Sequence, residues 1–326
     1  MGSSGAASCR AVGNQEDKRK ALNRPLLVIA GPTGSGKNRI ALEIARDHPC
    51  EIVNADSRQI YRDLVIGTNQ PTKEQMRMAS HHLYGFLEPA ESFSGADYER
   101  LATPVIDLIL SRRRLPLVVG GTGFYMKALL HGVWPVGPKN EELRTRFRRI
   151  EHQRGRLFLH RMLQRLDPHS ASKIASNDVY RVIRSLEILA QTGIRRSELP
   201  SENQEKFQAW KFYLDLDRQA IHKNIRERTQ KMFQDGWVEE VKQLLQRYPE
   251  FEYLPAAAAL GYREIVRYLK GEMDLESCKE RIILRTNQYA KRQLTWFRNQ
   301  DGFQPFPSLE QVGKIIQSVL QWEGDL

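Results

Sequence analysis

The sequence predicts an α/β fold, a parallel sheet core interrupted by a helical insertion, and three observations lead there. Leu26 to Ala30 is an apolar run that opens into a glycine-rich turn and then an amphipathic segment. Two later short runs, Glu51 to Asn54 and Leu115 to Val119, also end in polar or glycine-rich turns. Strands buried on both faces read as continuous apolar runs of this kind. Finally, the stretch from Lys139 to Arg165 changes character and becomes arginine-rich with helical spacing of its apolar residues.

The first element sets the rest. After the strand come Gly31, Pro32, Thr33, Gly34, Ser35, Gly36, Lys37 and Asn38, and Arg39 to Arg46 then places Ile40, Ala41, Ile44 and Ala45 on one helical face. This is the strand, loop and helix of the Walker A phosphate loop, G-x-x-x-x-G-K, and it makes the core P-loop NTPase-like. Its amides and helix N-terminus attract a phosphate, and Lys37 adds a full charge. All eight residues, Gly31 to Asn38, are therefore candidates for holding a diphosphate or nucleotide. The motif usually places Ser or Thr after the lysine, where a hydroxyl ligates Mg²⁺. Here Asn38 stands there, and its amide oxygen is the candidate ligand for that hard cation.

With 326 residues the chain can bury a full core. Its net charge of +11 favours a polyanionic partner. No apolar run reaches the roughly 18 residues of a membrane span. Residues 1–24 lack an apolar signal-peptide core and read as a disordered lead-in. Cys9, Cys50 and Cys278 are scattered without metal spacing, which suits a reducing cytoplasm. A monomer is the expected working form.

Glu51 to Asp56 is a second strand running into a carboxylate. Ligands in an open parallel sheet sit beyond the carboxyl ends of strands, so Asp56 is aimed near the phosphate loop. Its other reading is a helix N-cap. Ser57, Arg58 and Gln59 follow as hydrogen-bond donors. Ile66 to Thr72 reads as a loop. His81 and His82 are adjacent and cannot easily ligate one ion from a regular element, so structural roles are expected. Ser94 caps a helix reaching about Ser111. Leu115 to Val119 enters Gly120-Gly121-Thr122-Gly123, where glycines permit close approach of a ligand or simply make a tight turn.

The insertion carries nine basic residues between Lys139 and Arg165 (Lys139, Arg144, Arg146, Arg148, Arg149, Arg154, Arg156, Arg161 and Arg165) against Glu141, Glu142 and Glu151. That excess points to phosphate-backbone contact. Asn177-Asp178 starts another helix, on which Arg181 and Arg184 share a face. Phe212 to Leu216 reads as a strand, Ala220 to Gln246 as a long amphipathic helical region, and Leu275 to Phe297 as a helix dense in polar side chains. Ala256 to Tyr262 is unusually small. The expected division is 25–136 and 185–326 for the core, with 137–184 as the insertion.

The chemistry at this point divides between a small-molecule kinase and a transferase that uses the loop to hold a diphosphate leaving group. Two features argue against a motor ATPase: no long apolar strand ends in an acidic pair, and there is no arginine-finger motif.

Seven blocks in order then carry a resemblance: Gly31 to Lys37, Asp56 to Tyr61, Ile66-Gly67-Thr68, Gly120 to Tyr125, Asn177-Asp178 with Arg181, Leu260 to Glu264, and Gln288 to Arg298. Together they resemble the bacterial tRNA dimethylallyltransferase (tRNA isopentenyltransferase) family over about residues 25 to 300. The resemblance implies transfer of a dimethylallyl group from dimethylallyl diphosphate to N6 of adenosine 37, in tRNAs reading U-starting codons, with Mg²⁺. It implies Asp56 as general base, with Lys37 and Thr122 as its catalytic partners. By motif position, it implies tRNA contacts at Asp56, Ser57, Arg58, Gln59, Thr122, Arg144, Tyr180, Arg181, Val182, Ile183, Arg184, Gly261, Tyr262, Arg263, Gln288, Lys291 and Arg292. Asn38, Gln70 and Asn287 differ from the family pattern, which has a hydroxyl, a lysine and an arginine there. A prenyltransferase acting on free adenylate and a non-catalytic tRNA-binding paralogue are the neighbouring alternatives.

Overall fold

The computed structural model describes residues 24–133, 137, 139–155, 157–199 and 205–322. Residues 1–23 of the expected 1–24 lead-in, and Arg156, lie outside them. The described residues fall in two compact units, Val133–Gln204 and the segments on either side of it. The insertion is thus wider than the expected 137–184. A boundary at 184 would cut the helix Val179–Thr192 in two.

In the larger unit, β1 (Pro25–Ala30) leads to α1 (Lys37–Asp47), β2 (Cys50–Asn54), α2 (Lys73–Met78), β3 (His81–His82), α3 (Gly95–Ser111), β4 (Leu115–Gly120) and α4 (Gly123–His131). The smaller unit holds α5 (Glu141–Arg154), α6 (Phe158–Leu166), α7 (Pro168–Lys173) and α8 (Val179–Thr192). The chain returns as β5 (Gln208–Tyr213), α9 (Arg218–Gln234), α10 (Trp237–Arg247), α11 (Tyr262–Leu269), α12 (Leu275–Arg298), β6 (Phe303–Pro305) and α13 (Leu309–Trp322).

The sheet order is β3-β2-β4-β1-β5-β6, and every pairing is parallel. β1 lies between β4 and β5, with Ala30 opposite both Gly120 and Tyr213. Its six residues are all buried, because helices cover both faces. One apolar layer joins β1 to α3 and α4 through Leu26, Val28, Tyr98, Ile106 and Leu129. The opposite layer joins Leu27 and Ile29 to α1 and α13 through Ile44, Val312 and Ile316. β1, β2 and β4 therefore deliver Gly31, Asp56 and Thr122 to one edge of the sheet.

Caps set the helix starts. Ser94 Oγ accepts from the Asp97 amide at 3.2 Å, and Asp178 Oδ1 accepts from the Arg181 amide at 3.1 Å. The expected helical region from Ala220 to Gln246 consists of two helices. Gly236 has φ of 98° and caps α10 in the left-handed region, where a Cβ would be strained. His82 Nε2 meets Glu51 Oε2 at 2.7 Å, and His81 Nδ1 meets the Ala79 carbonyl at 2.8 Å. No helix among the described residues is long and apolar enough to cross a membrane.

Candidate active site

The phosphate loop forms as its residues dictate. Gly34 and Gly36 have φ of 81° and 83°, which only glycine adopts without strain. A Cβ on Gly34 would stand 2.9 Å from Ile225 Cγ1. Pro32 and Ser35 are buried beneath the loop. Two residues of α9 brace it: Asn224 Nδ2 donates to the Gly34 carbonyl at 2.9 Å, and an Arg228 guanidinium nitrogen donates to Thr33 Oγ1 at 2.6 Å.

A cavity of about 550 Å³ lies against the loop, lined by Thr33, Gly34, Gly36, Lys37, Asn38, Asp56, Gln59 and Arg228 among others. Its far wall comes from Leu42 and Glu43 of α1, Gln75 and Met78 of α2, and Thr68 and Asn69. Lys37 is 9% exposed. Burial lowers its pKa to about 8, although the Asp56 carboxylate pulls it upward, and Arg228 pushes it further down. Burial also lowers the pKa of the Arg228 guanidinium, again opposed by Asp56. Two desolvated cations thus face one carboxylate, an arrangement that favours an incoming anion.

Asp56 is held by its own turn. Its amide donates to Asn54 Oδ1 at 2.9 Å, and its Oδ1 accepts from the Arg58 amide at 2.9 Å. Thr122 Oγ1 accepts from the Ser57 amide at 2.9 Å and donates to Ser57 Oγ at 3.2 Å. Thr122 therefore fixes the turn that carries Asp56. Tyr289 of α12 lies in the same surroundings, where burial first and then the Asp56 charge push its phenol up to about 12.

The glycines of the Gly120 to Gly123 turn make room for protein atoms. A Cβ on Gly120 would lie 2.1 Å from the Ala55 carbonyl, one on Gly121 2.2 Å from Gln293 Nε2, and one on Gly123 2.2 Å from Trp296. The tight-turn reading describes them better than close approach of a ligand.

Several of the expected tRNA-contact residues are buried or already paired. Arg144 is 4% exposed, and it forms a bidentate pair with Glu187 at 2.9 to 3.1 Å. Val182 and Ile183 pack into the α6–α8 core with Leu159 and Leu163. Tyr262 is fully buried and donates to Glu240 Oε1 at 2.7 Å. Gly261 is buried as well, and a Cβ there would lie 2.1 Å from Trp237 Cη2. Gln59 is buried, and its Nε2 donates to the Thr68 and Asn69 carbonyls at 3.0 and 2.7 Å. Arg184 is largely spent on Glu187 at 2.8 Å. Tyr180, Arg181, Arg263, Gln288, Lys291 and Arg292 are exposed, and Ser57 and Arg58 are half-buried. Of the three departures from the pattern, Asn38 lines the cavity. Gln70 holds its own loop by donating to Tyr61 and Leu64 carbonyls at 2.8 and 3.1 Å. Asn287 Oδ1 is buried and has no hydrogen-bond partner among the described residues.

Sequence reasoning missed Arg228, Asn224 and Glu240, and it gave Gln293 no role of its own within the Gln288 to Arg298 block. Asn224 and Arg228 are four apart on α9, the spacing of one helical face, and that was the only signal for them. Glu240 accepts from the Val65, Ile66 and Gly67 amides at 2.9, 2.6 and 3.2 Å. It ties the Ile66-Gly67-Thr68 block to Tyr262.

The IPP transferase family pattern matches residues 59–300, and an isopentenyl transferase pattern matches residues 25–84. A tRNA dimethylallyltransferase of Thermomicrobium roseum is 41% identical over 310 residues, covering 93% of each chain. Another, tRNA dimethylallyltransferase 1 of Syntrophotalea carbinolica, is 36% identical over 309 residues, 94% of this chain and 97% of the relative. The crystal structure of a tRNA isopentenylpyrophosphate transferase from Bacillus halodurans superposes with a TM-score of 0.67 at 33% identity, covering 93% and 98% of the two chains. A eukaryotic dimethylallyltransferase, described as acting on tRNA, gives 0.73 at 28% identity over 84% and 70%.

Proposed function

The chain belongs to the IPP transferase family, and from that premise we propose that it moves a dimethylallyl group from dimethylallyl diphosphate to N6 of adenosine 37 in tRNAs reading U-starting codons. The observation that carries this reading is the cavity that the buried Lys37 and the Asp56 carboxylate line together. An exocyclic adenine amine is a weak nucleophile, because its lone pair is delocalised. Asp56 takes the N6 proton as the N6–C1 bond forms and the C1–O bond to diphosphate breaks. Lys37, Arg228 and the loop amides receive the departing negative charge. Thr122 keeps Asp56 in place through Ser57. The target base must leave its stack to reach this site.

Mg²⁺ fits the donor set in part. Asn38 lines the cavity and offers a hard oxygen donor. Among the described residues no cluster of His, Cys, Asp and Glu could hold an ion alone, so a bound ion would draw its remaining ligands from diphosphate and water. When bound, the ion adds neutralisation of the leaving group. The exposed Arg146, Arg148 and Arg149 of α5, with Tyr180 and Arg181 of α8, supply the remaining basic surface for the anticodon stem-loop. A monomer working in the cytoplasm accords with this reading.

The test incubates the protein with Mg²⁺, dimethylallyl diphosphate and an anticodon stem-loop carrying adenosines around position 37, and weighs the RNA. A gain of one C₅H₈ unit is expected. Asp56→Asn is expected to lower the rate by about 100-fold or more while leaving RNA affinity intact. RNA that binds and gains no mass would overturn the assignment.

A further inference from the structure

The Gln288 to Arg298 block contributes one residue that points away from its exposed neighbours. Lys291 and Arg292 are exposed, whereas Gln293 is 6% exposed. Its Oε1 accepts from the Thr33 amide at 2.9 Å, and its Nε2 donates to the Gly121 carbonyl at 2.8 Å. Thr33 belongs to the phosphate loop and Gly121 to the turn bearing Thr122. That turn is tied to the next strand end: the Thr122 amide donates to the Ala55 carbonyl at 3.1 Å, and Thr122 Oγ1 accepts from Ser57. An unbroken line of hydrogen bonds thus runs from the phosphate loop through Gln293 to both sides of Asp56.

We propose that Gln293 is a positioning residue that locks the diphosphate-binding loop to the turn holding the general base. The proposal rests on the transferase reading above. A carboxamide offers an acceptor and a donor together, and this site uses both. A glutamate would satisfy Thr33 and set its second oxygen against the Gly121 carbonyl. Gly121 belongs to the same device, since a Cβ there would lie 2.2 Å from Gln293 Nε2. The Thr33 amide is spent on Gln293, so the side chain acts by fixing the separation of donor and base. Misplacement of reacting groups by about 1 Å costs about 100-fold in rate.

The experiment compares the full chain with Gln293→Ala, Gln293→Glu and Gln293→Met, the last conserving length and core volume. With dimethylallyl diphosphate and the stem-loop RNA, kcat is expected to fall by about 100-fold. The KM for dimethylallyl diphosphate should move far less, and RNA affinity and its salt dependence should stay at wild-type values. Weaker RNA binding with kcat intact would make Gln293 an RNA contact and overturn the proposal. Amide hydrogen exchange supplies a readout free of turnover. The Thr33 amide should lose protection in Gln293→Ala and Gln293→Met while the helical amides of α12 keep theirs; unchanged protection at Thr33 in these two variants overturns the proposal. If the wild type transfers no prenyl group, the functional reading falls, and the exchange result still decides the role of Gln293.

Discussion

Lys37 gives up hydration to sit under the phosphate loop, and that loss lowers its pKa to about 8 in the free protein. A bound diphosphate restores the favourable partner and raises it again. The sign follows directly. Affinity is greatest below pH 8, where the ammonium is already present, and weakens as pH rises through 8, by up to about tenfold per unit. Binding of dimethylallyl diphosphate near pH 9 should therefore take up a proton, seen by calorimetry in buffers of different ionisation enthalpy. Lys37→Met should abolish the uptake, and uptake that persists would remove Lys37 from the site. Lys37 and Asp56 were legible in the sequence because each follows a strand with a recognisable turn. Arg228 was not, because it reaches the loop from a helix about 190 residues further along.

At the scale of elements, short motifs told where the chain turns better than what the turn touches. Leu260 to Arg263 reads as a contact to RNA, yet Tyr262 and Gly261 face inward. Trp237 is 2% exposed and wedged between two backbones. A Cβ on Gly67 would lie 2.0 Å from its Nε1, and one on Gly261 2.1 Å from its Cη2. Spacing along the chain carries no information about a ring arriving from another helix. Gly67→Ala should consequently cost about 1–3 kcal/mol in urea unfolding. It should also loosen Thr68 and Asn69, which line the cavity. A stability equal to wild type would show that the loop yields to the ring without cost. Glu240 anchors the same loop from α10. Burial raises its pKa, against the three amides and the Tyr262 hydroxyl that favour its charge.

For the molecule as a whole, the central strands and the long helices were legible, because burial on both faces and capping residues leave local marks. The edges were not. β3 and β6 have two and three residues, too few for a periodic pattern, and β5 starts at Gln208, four residues before the apolar run that suggested it. The arginine excess of the insertion was visible, but the sequence could not separate Arg144 from its exposed neighbours. Its partner Glu187 is fully buried. Burial alone would raise that carboxyl, and hydrogen bonds from Arg144, Arg184 and the Asn140 amide hold it down at about 2. A depressed carboxylate contributes stability that is complete above its unfolded pKa and is lost as pH falls through the folded one. The α5–α8 unit should accordingly lose stability between about pH 4.5 and 2. Glu187→Ala should remove about 3 kcal/mol at neutral pH and flatten the acid dependence, as followed by circular dichroism. An unaltered acid transition would assign that stability to other groups.

The Trp237 wedge also bears on descent. Gly67, Trp237 and Gly261 are far apart along the chain, yet no one of them can change alone without loss. A lineage that shrinks the ring at 237 frees both glycines to drift, and one that keeps the indole keeps both glycines with it. Three positions are then inherited as one character, and two of the blocks by which this chain is recognised persist in part for the sake of a side chain that belongs to neither.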